Sequence, residues 1–238
     1  MEGSTDLKTL KDRLVTAVKV LIHERLIDAF GHASLRVPGA GHILVPGHTH
    51  LGDKTIADLT PDDVVTIDMD GNTVAGEGDP PGERFIYTGI YRARQELGGV
   101  VHVHPPMAIA FSAAGRPILP IWSQGSVFTP EVPTCDYPAQ IDTPALGGLV
   151  ARALGGRAAV LLRSHGAVTV GRTLEEACVI AINLERTAAM QWVAASLGTP
   201  RAIEPQHLEG DMMKGVSSEE YANAYWAYYV DRMRRGRR

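Results

Sequence analysis

The stretch Val100–His104, with the sequence VVHVH, constrains the fold of this chain more than any other. The valines give it strong β-propensity, Gly98-Gly99 signals a turn before it, and Pro105-Pro106 ends it. Because side chains alternate between the faces of a strand, His102 and His104 point the same way while Val101 and Val103 pack behind them. Two imidazoles on one rigid face are typical of a metal site, and a pair of hydrogen-bonded core histidines is the alternative.

Composition restricts the class of protein. The chain has 238 residues, 45% of them apolar and 21% charged, which is ordinary for a globular protein with a sizeable core. The net charge of −4 argues against nucleic-acid binding. Two cysteines, Cys135 and Cys178, are too few for a disulfide framework and favour a reducing, cytoplasmic setting. We expect neither a signal peptide nor a membrane span, because the N-terminus lacks a basic and then apolar segment and no apolar run is long enough.

The hydrophobic pattern predicts an α/β fold. Apolar residues at helical spacing predict an amphipathic helix from Leu7 to Ile27, and the capping box of Thr173 and Glu176 predicts a long helix to Leu197. Shorter helices are predicted at 85–96, 107–114 and 146–154. Strands are predicted at 34–37, 42–45, 64–68, 73–75, 158–162 and 167–170. The segment 115–141 is proline-punctuated and mostly irregular, with one candidate strand at 118–121.

The order of these elements predicts one domain rather than two. No internal repeat and no clear linker divides the chain, so we predict a single domain over residues 1–238, with a C-terminal arm and helix over about 199–238. Successive hairpins favour an antiparallel or mixed sheet that is layered with helices.

Two further residues complete a candidate site. His165 lies in a turn between Ser164 and Gly166, at the end of an apolar strand, and strand ends are where rigid scaffolds present reactive groups. Glu83 opens the helix before the His-x-His strand, where the helix dipole favours a carboxylate, so a structural cap is the alternative. Three neutral imidazoles leave an open position on a divalent ion, and a nearby carboxylate can act as ligand or base.

The order of these motifs resembles the class II aldolase/adducin family. Glu83 comes first, then His102-x-His104, then His165-Gly166 before the segment Gly171–Glu176, and the similarity extends over roughly Leu7 to Leu197. The resemblance implies a catalytic divalent ion, most often zinc, with manganese, iron or cobalt as alternatives. The three histidines would bind this ion, with Glu83 as ligand or acid/base.

The resemblance also implies an architecture. Family members have a three-layer α/β/α fold with a central, mainly antiparallel sheet, and they are commonly homotetramers with active sites at subunit interfaces. The aromatic C-terminal helix would then cover a neighbour's site, with Tyr228 or Tyr229 as proton donor. Packing of an aromatic stripe in the core or an interface is the alternative.

Two departures from the family pattern bear on the substrate. Sugar-phosphate aldolases of this family hold the phosphate with a Gly-Asn-x-Ser segment and a Ser-Ser pair directly before the glutamate. The matching residues here are Gly31-His32-Ala33-Ser34 and Pro81-Gly82. Because Pro81 has neither hydroxyl nor N–H and Gly82 has only its backbone, these two residues lack the side-chain donors that would hold a phosphate.

The segment Pro80–Ile86 is similar instead to the branch that decarboxylates hydroxylated aromatic or ring-derived carboxylic acids, such as dihydroxyphthalates. Arg84 would offer a planar fork for a carboxylate, or else pair with an acid on the surface. His32, Ser34 and His48 are the other candidates for the wall of the pocket.

Four functions fit this pattern. The first is a metal-dependent lyase that decarboxylates a hydroxylated carboxylic acid, and the second is an aldolase that cleaves a non-phosphorylated hydroxy-carbonyl compound. Both reactions leave electrons on carbon and need the electron sink that a metal supplies. An iron-dependent oxygenase on the same scaffold is the third. The fourth is a non-catalytic, adducin-like module, against which the retained histidines speak.

Overall fold

The computed structural model describes residues 6–47, 54–208 and 218–236, and the strands within them form one sheet. Its strands, numbered in chain order, are β1 His32–Arg36, β2 Ile43–Pro46, β3 Val64–Ile67, β4 Thr73–Ala75, β5 Gly99–Val103, β6 Thr134–Cys135, β7 Ala159–Leu162 and β8 Gly166–Gly171. The order across the sheet is β4-β3-β2-β1-β5-β8-β7-β6. All neighbouring pairs are antiparallel except β6 and β7, which confirms the mainly antiparallel sheet.

Helices cover both faces of the sheet. They are α1 Leu7–His23, α2 Arg84–Ala93, α3 Pro106–Ala113, α4 Pro144–Leu154, α5 Leu174–Leu197, the short α6 Pro205–Leu208 and α7 Glu219–Arg234. The buried side chains separate into two clusters. Residues of α1, α3, α5 and α7 pack with Val101 and Val103 of β5, whereas residues of α2 and α4 pack with Val100. The three predicted α/β/α layers are therefore confirmed.

The position of β5 explains why the His-x-His stretch is central. It lies between β1 and β8, with His102 opposite His32 on one side and Val168 on the other. Because its side chains alternate, Val101 and Val103 lie on one face of the sheet, and Val100 and His102 lie on the other, as the sequence pattern predicts.

The first connection differs from the prediction. Helix α1 ends at His23 instead of Ile27 because Arg25 turns into the left-handed region, with φ of 62°. Leu26 and Ile27 are nevertheless buried, so their apolar character reflects core packing rather than helix. Strand β1 begins at His32 rather than at residue 34, which makes His32 a strand residue beside His102.

The segment 115–141 also differs. Residues 118–121 form no strand. Their carbonyls instead accept hydrogen bonds from distant loops, Ile118 from the Val132 N–H and Pro120 from the Ile203 N–H. The strand in this segment is β6, which pairs in parallel with β7.

Helix α2, which carries Glu83 at its N-terminus, is held in place by a close crossing with α4. A Cβ atom on Gly89 would lie only 2.6 Å from the carbonyl carbon of Gly147, so the two backbones meet without side chains between them. Within the described ranges, no helix combines the length and apolar character needed to cross a membrane.

Candidate active site

Three histidines from two parts of the sheet meet at one place. His102 lies on β5, His104 directly follows that strand, and His165 lies in the turn between β7 and β8. Their ring centroids are 4.9, 5.0 and 5.5 Å apart. One nitrogen of each ring lies within 4.8 Å of the others, so among the described residues this group could hold a metal ion.

The turn between β7 and β8 is shaped to bring His165 to the pair on β5. Ser164 has a left-handed backbone with φ of 58°, and its N–H donates to Ser112 Oγ at 3.0 Å. A Cβ atom on Gly166 would lie 2.6 Å from the Val103 oxygen and 2.9 Å from His104 Cδ2. A side chain at this position would therefore occupy the space of the histidine cluster.

The proton on His102 is located by its backbone partner. Nδ1 of His102 lies 3.1 Å from the Ala167 carbonyl oxygen, which can only accept, so Nδ1 carries the hydrogen. Nε2 is buried without a hydrogen bond and lies 3.2 Å from Glu83 Oε2. The lone pair of a neutral imidazole and a carboxylate oxygen repel each other unless a cation lies between them. These residues therefore fit a divalent metal ion.

Glu83 is buried beside the cluster and makes no capping hydrogen bond with its side chain, which argues against the alternative of a structural cap. Its Oε1 accepts the N–H of Ile141 at 2.9 Å and lies 3.7 Å from His165 Nε2. Burial raises the pKa of Glu83, but the nearby His102 imidazole, the hydrogen bond from the Ile141 N–H and the nearby His165 imidazole together lower this pKa to about 2. The carboxylate is therefore ionised at neutral pH.

The other two histidines are neutral at the same pH. Burial, together with the neighbouring imidazoles of His102 and His165, lowers the pKa of His104 to about 4. Burial and the neighbouring His102 imidazole also lower the pKa of His165. Neutral imidazoles offer the lone pairs that metal ligation requires.

His32 lies at the edge of this cluster. Its ring centroid is 5.4 Å from that of His102 and 5.4 Å from that of Tyr87. Nδ1 of His32 is hydrogen-bonded to the hydroxyl of Tyr87 on α2. Burial raises the pKa of Tyr87 well above its usual value, so this hydroxyl keeps its proton. Sequence reasoning missed Tyr87, although its spacing of four residues from Glu83 on one helix is a signal that both share a face.

Ser34 and Arg84 lie elsewhere. Ser34 has no exposed surface, its hydroxyl donates to the Val100 carbonyl at 3.0 Å, and it lies 3.2 Å from the Tyr91 hydroxyl. The Arg84 guanidinium lies over the Phe85 ring and donates to the Pro81 carbonyl. These contacts do not bring either side chain to the histidine cluster.

The two C-terminal tyrosines differ in exposure. Tyr229 is 1% exposed, and its hydroxyl accepts a hydrogen bond from Arg186 on α5 at 3.1 Å, a position that holds α7 to the body of this chain. Tyr228 is 55% exposed and stacks edge-on against Tyr229. His48 lies outside the described residues.

A cleft of about 470 Å³ opens beside the cluster. It is lined by His165 and by a wall of Tyr137, Pro138, Ala139, Gln140 and Asp142. The Ile141 N–H that binds Glu83 belongs to the same segment of the chain. Sequence reasoning named no residue of this wall, because nothing in an irregular segment indicates which of its residues reach a given strand end.

Comparison with known proteins agrees with this geometry. The family model described as Class II Aldolase and Adducin N-terminal domain matches residues 12–192. The 3,4-dihydroxyphthalate decarboxylase of Arthrobacter keyseri is 30% identical over 201 residues, which cover 79% of each chain. The 5-methylthioribulose-1-phosphate/5-deoxyribulose-1-phosphate aldolase of Rhodospirillum rubrum is 29% identical over 179 residues, which cover 75% of this chain and 78% of the relative.

A solved structure supports the fold. The aldolase II superfamily protein from Pseudomonas syringae superposes with a TM-score of 0.81 at 23% identity, covering 99% of this chain and 96% of the other. This chain belongs to the class II aldolase and adducin N-terminal domain family. The matches to decarboxylases and aldolases confirm the predicted class, a carbon–carbon lyase of this family.

Proposed function

We propose that this protein is a divalent-metal-dependent decarboxylase that acts on a hydroxylated aromatic or ring-derived carboxylic acid. One observation carries the metal dependence: the buried Nε2 of His102 has a lone pair but no hydrogen bond, and it faces the Glu83 carboxylate at 3.2 Å. His102, His104 and His165 would hold the ion, and zinc suits a set of three imidazoles with an open position. When bound, the ion supplies Lewis-acid stabilisation of the negative charge that the substrate acquires as CO₂ leaves.

The protein's own part in the reaction is to orient the substrate and to move one proton. Glu83 is ionised and is held by the Ile141 N–H, so it is placed to accept a proton from a substrate hydroxyl. It then returns that proton to the ring carbon from which CO₂ departs. The ring carbon therefore loses CO₂ and gains one proton, and no oxidant is needed.

The surroundings of Glu83 support a carboxylate substrate over a sugar phosphate. Pro81 is buried and its carbonyl already accepts from the Arg84 N–H, while Gly82 has no side chain. The residues just before Glu83 therefore supply no hydroxyl donors for a phosphate. The 30% identity to a dihydroxyphthalate decarboxylase supports the same substrate class.

Aldol cleavage is the second candidate, because a relative named as an aldolase is 29% identical. In that reaction Glu83 would remove the proton from the hydroxyl beside the bond that breaks. The substrate would be a hydroxy-carbonyl compound without a phosphate.

The assembly and location of the protein are part of the same proposal. We expect a cytoplasmic homotetramer in which the exposed Tyr228 contributes to a neighbouring active site as proton donor. Light scattering of the purified protein tests the tetramer. A dimer or a monomer would contradict the tetramer. Replacement of Tyr228 by Phe tests the donor, and unchanged activity of this variant would contradict that role.

The primary experiment measures metal content and then CO₂ release. Protein purified without chelator is analysed for zinc, manganese, iron and cobalt, and is then assayed with a panel of dihydroxybenzene carboxylates. We expect one metal ion per chain and CO₂ release that chelation abolishes. His102→Ala should lose the metal, whereas His207→Ala, at a side chain that is 69% exposed, should keep it. A metal-bearing protein that cleaves hydroxy-carbonyl compounds without releasing CO₂ would favour the aldolase, and a metal-free protein would overturn every catalytic version.

A further inference from the structure

The ring of His32 lies as close to the ring of His102 as the rings of His104 and His165 lie to each other. Its ring centroid is 5.4 Å from that of His102, compared with 5.5 Å between His104 and His165. His32 and His102 are also direct partners in the β1–β5 pairing. The three clustered histidines have ligand nitrogens within 4.8 Å of one another, and His32 is not part of that group. What the His32 ring can bind instead depends on which of its nitrogens carries the proton.

The partner of His32 on α2 decides which nitrogen carries the proton. The Tyr87 side chain is fully buried, so its hydroxyl requires a hydrogen-bond acceptor. Within the described part of the chain, that acceptor is Nδ1 of His32. A neutral imidazole that accepts at Nδ1 carries its hydrogen on Nε2, on the side of the ring that points away from Tyr87.

We propose that Tyr87 is a positioning residue: its buried hydroxyl donates to Nδ1 of His32, keeps the ring proton on Nε2, and so makes His32 a hydrogen-bond donor for a substrate oxygen rather than a fourth metal ligand. The chemical class of group that this donor takes is an anionic oxygen, such as the carboxylate or the ionised hydroxyl of the substrate.

This inference rests on the proposed function for its substrate, but the state of His32 does not depend on it. The ring nitrogens of His32 are measured directly by ¹⁵N NMR of histidine-labelled protein, both loaded with zinc and treated with chelator. The signals are assigned by their loss in His32→Gln. We expect an unprotonated, hydrogen-bonded Nδ1 and a protonated Nε2 in the wild type. In Tyr87→Phe the Nδ1 signal should move to the position of a nitrogen without a hydrogen bond.

The chain offers a matched control on the same helix. Tyr91 lies one turn after Tyr87, is also fully buried, and bonds to Ser34 on the same strand. Tyr91→Phe removes the same single oxygen atom, so it should leave the His32 signals unchanged. We expect Tyr87→Phe to lower kcat/KM by about tenfold, and Tyr91→Phe by less than about twofold, since one lost hydrogen bond is worth about a factor of ten.

The double variant separates positioning from a structural effect. The amide of His32→Gln retains a donor near the position of Nε2 and has no tautomer to be set. Tyr87→Phe should therefore lower kcat/KM by less than about twofold in the Gln background. An equal loss in both backgrounds, or a proton on Nδ1 of His32 in the wild type, would overturn the proposal. The NMR result stands even if no panel substrate is turned over. A failure of the proposed function can therefore be distinguished from a failure of the proposal about His32 and Tyr87.

Discussion

Two successive contacts between β1 and α2 each use a buried tyrosine hydroxyl, but they differ in their surroundings. The first joins His32 to Tyr87, and the second joins Ser34 to Tyr91. Both tyrosines are fully buried and lie one helical turn apart, and both partners lie on the same face of β1. The first contact meets the histidine cluster, whereas the second is enclosed.

The difference between the contacts is one of access. The Tyr91 hydroxyl lies within hydrogen-bond distance of both the hydroxyl and the carbonyl of Ser34, and Arg36 donates to the Tyr91 carbonyl and lies over its ring. The His32 ring instead lies against His102, opposite the end of β5 that carries the site. One pair of elements therefore serves as scaffold in its interior and as part of the candidate active site at its end.

We expect the largest effect at Glu83, which lies beside the histidine cluster. Glu83→Gln should lower kcat about a thousandfold, because the amide cannot accept the substrate proton. The Ile141 N–H can still bond to the amide oxygen, so the fold should survive, and circular dichroism and Tm check this. Tyr91→Phe, in the enclosed contact with Ser34, is the control. Equal losses of activity in the two variants would show that the enclosed contact matters to the reaction as much as the candidate active site does.

Gly166→Ala tests the space that the cluster requires. The added methyl group would lie 2.6 Å from the Val103 oxygen and 2.9 Å from His104 Cδ2, so the end of β5 that carries the histidines must shift. We expect zinc affinity to fall about tenfold or more, measured by competition with a chelating dye. Gly156→Ala, where nothing lies within 4 Å, should bind zinc as the wild type does.

The pH dependence of stability distinguishes the buried cluster from exposed histidines. The folded-state pKa of His104 is lowered to about 4, so the unfolded chain takes up its proton first, at its ordinary pKa of about 6.5. The metal-free protein should therefore lose stability as the pH falls from about 6.5 to 4. Glu83 adds a loss only below its ordinary pKa of about 4.5, towards pH 2.

Thermal unfolding in chelator at several pH values measures this loss. His104→Gln should reduce the dependence of Tm on pH between 6.5 and 4.5, because one titrating group is gone, while His165, whose pKa is also lowered, still contributes. His207→Gln should leave the wild-type slope unchanged, since that side chain is 69% exposed. A slope that is the same in all three proteins would show that the cluster does not titrate in this way.

Ser34→Ala should give the smallest effect, and it tests only the enclosed contact between Ser34 and Tyr91. The variant loses the hydrogen bond to the Val100 carbonyl and leaves Tyr91 with fewer partners. We expect the free energy of unfolding to fall by about 1 kcal/mol, measured in urea, with kcat/KM within about twofold of the wild type. A large loss of activity would restore Ser34 as a substrate contact.

The sequence determined much of the local structure. Alternation along Val100–His104 placed Val101 and Val103 on the face opposite to His102, and Thr173 accepts the Glu176 N–H at the start of α5 as its cap pattern indicates. The ordered set of Glu83 and the three histidines also resembled the motif order of the family, and the family model that matches residues 12–192 confirms that resemblance.

The tertiary structure alone decided which polar groups reach that site. Ser34 and His32 are two residues apart on one strand, and only the packing of α2 and the end of β5 buries the first and places the second beside His102. Tyr87 and the cleft wall at 137–142 acquire their positions from segments far away in the chain. Local patterns encode which face a side chain takes, whereas access to a site depends on long-range contacts that no short stretch of sequence contains.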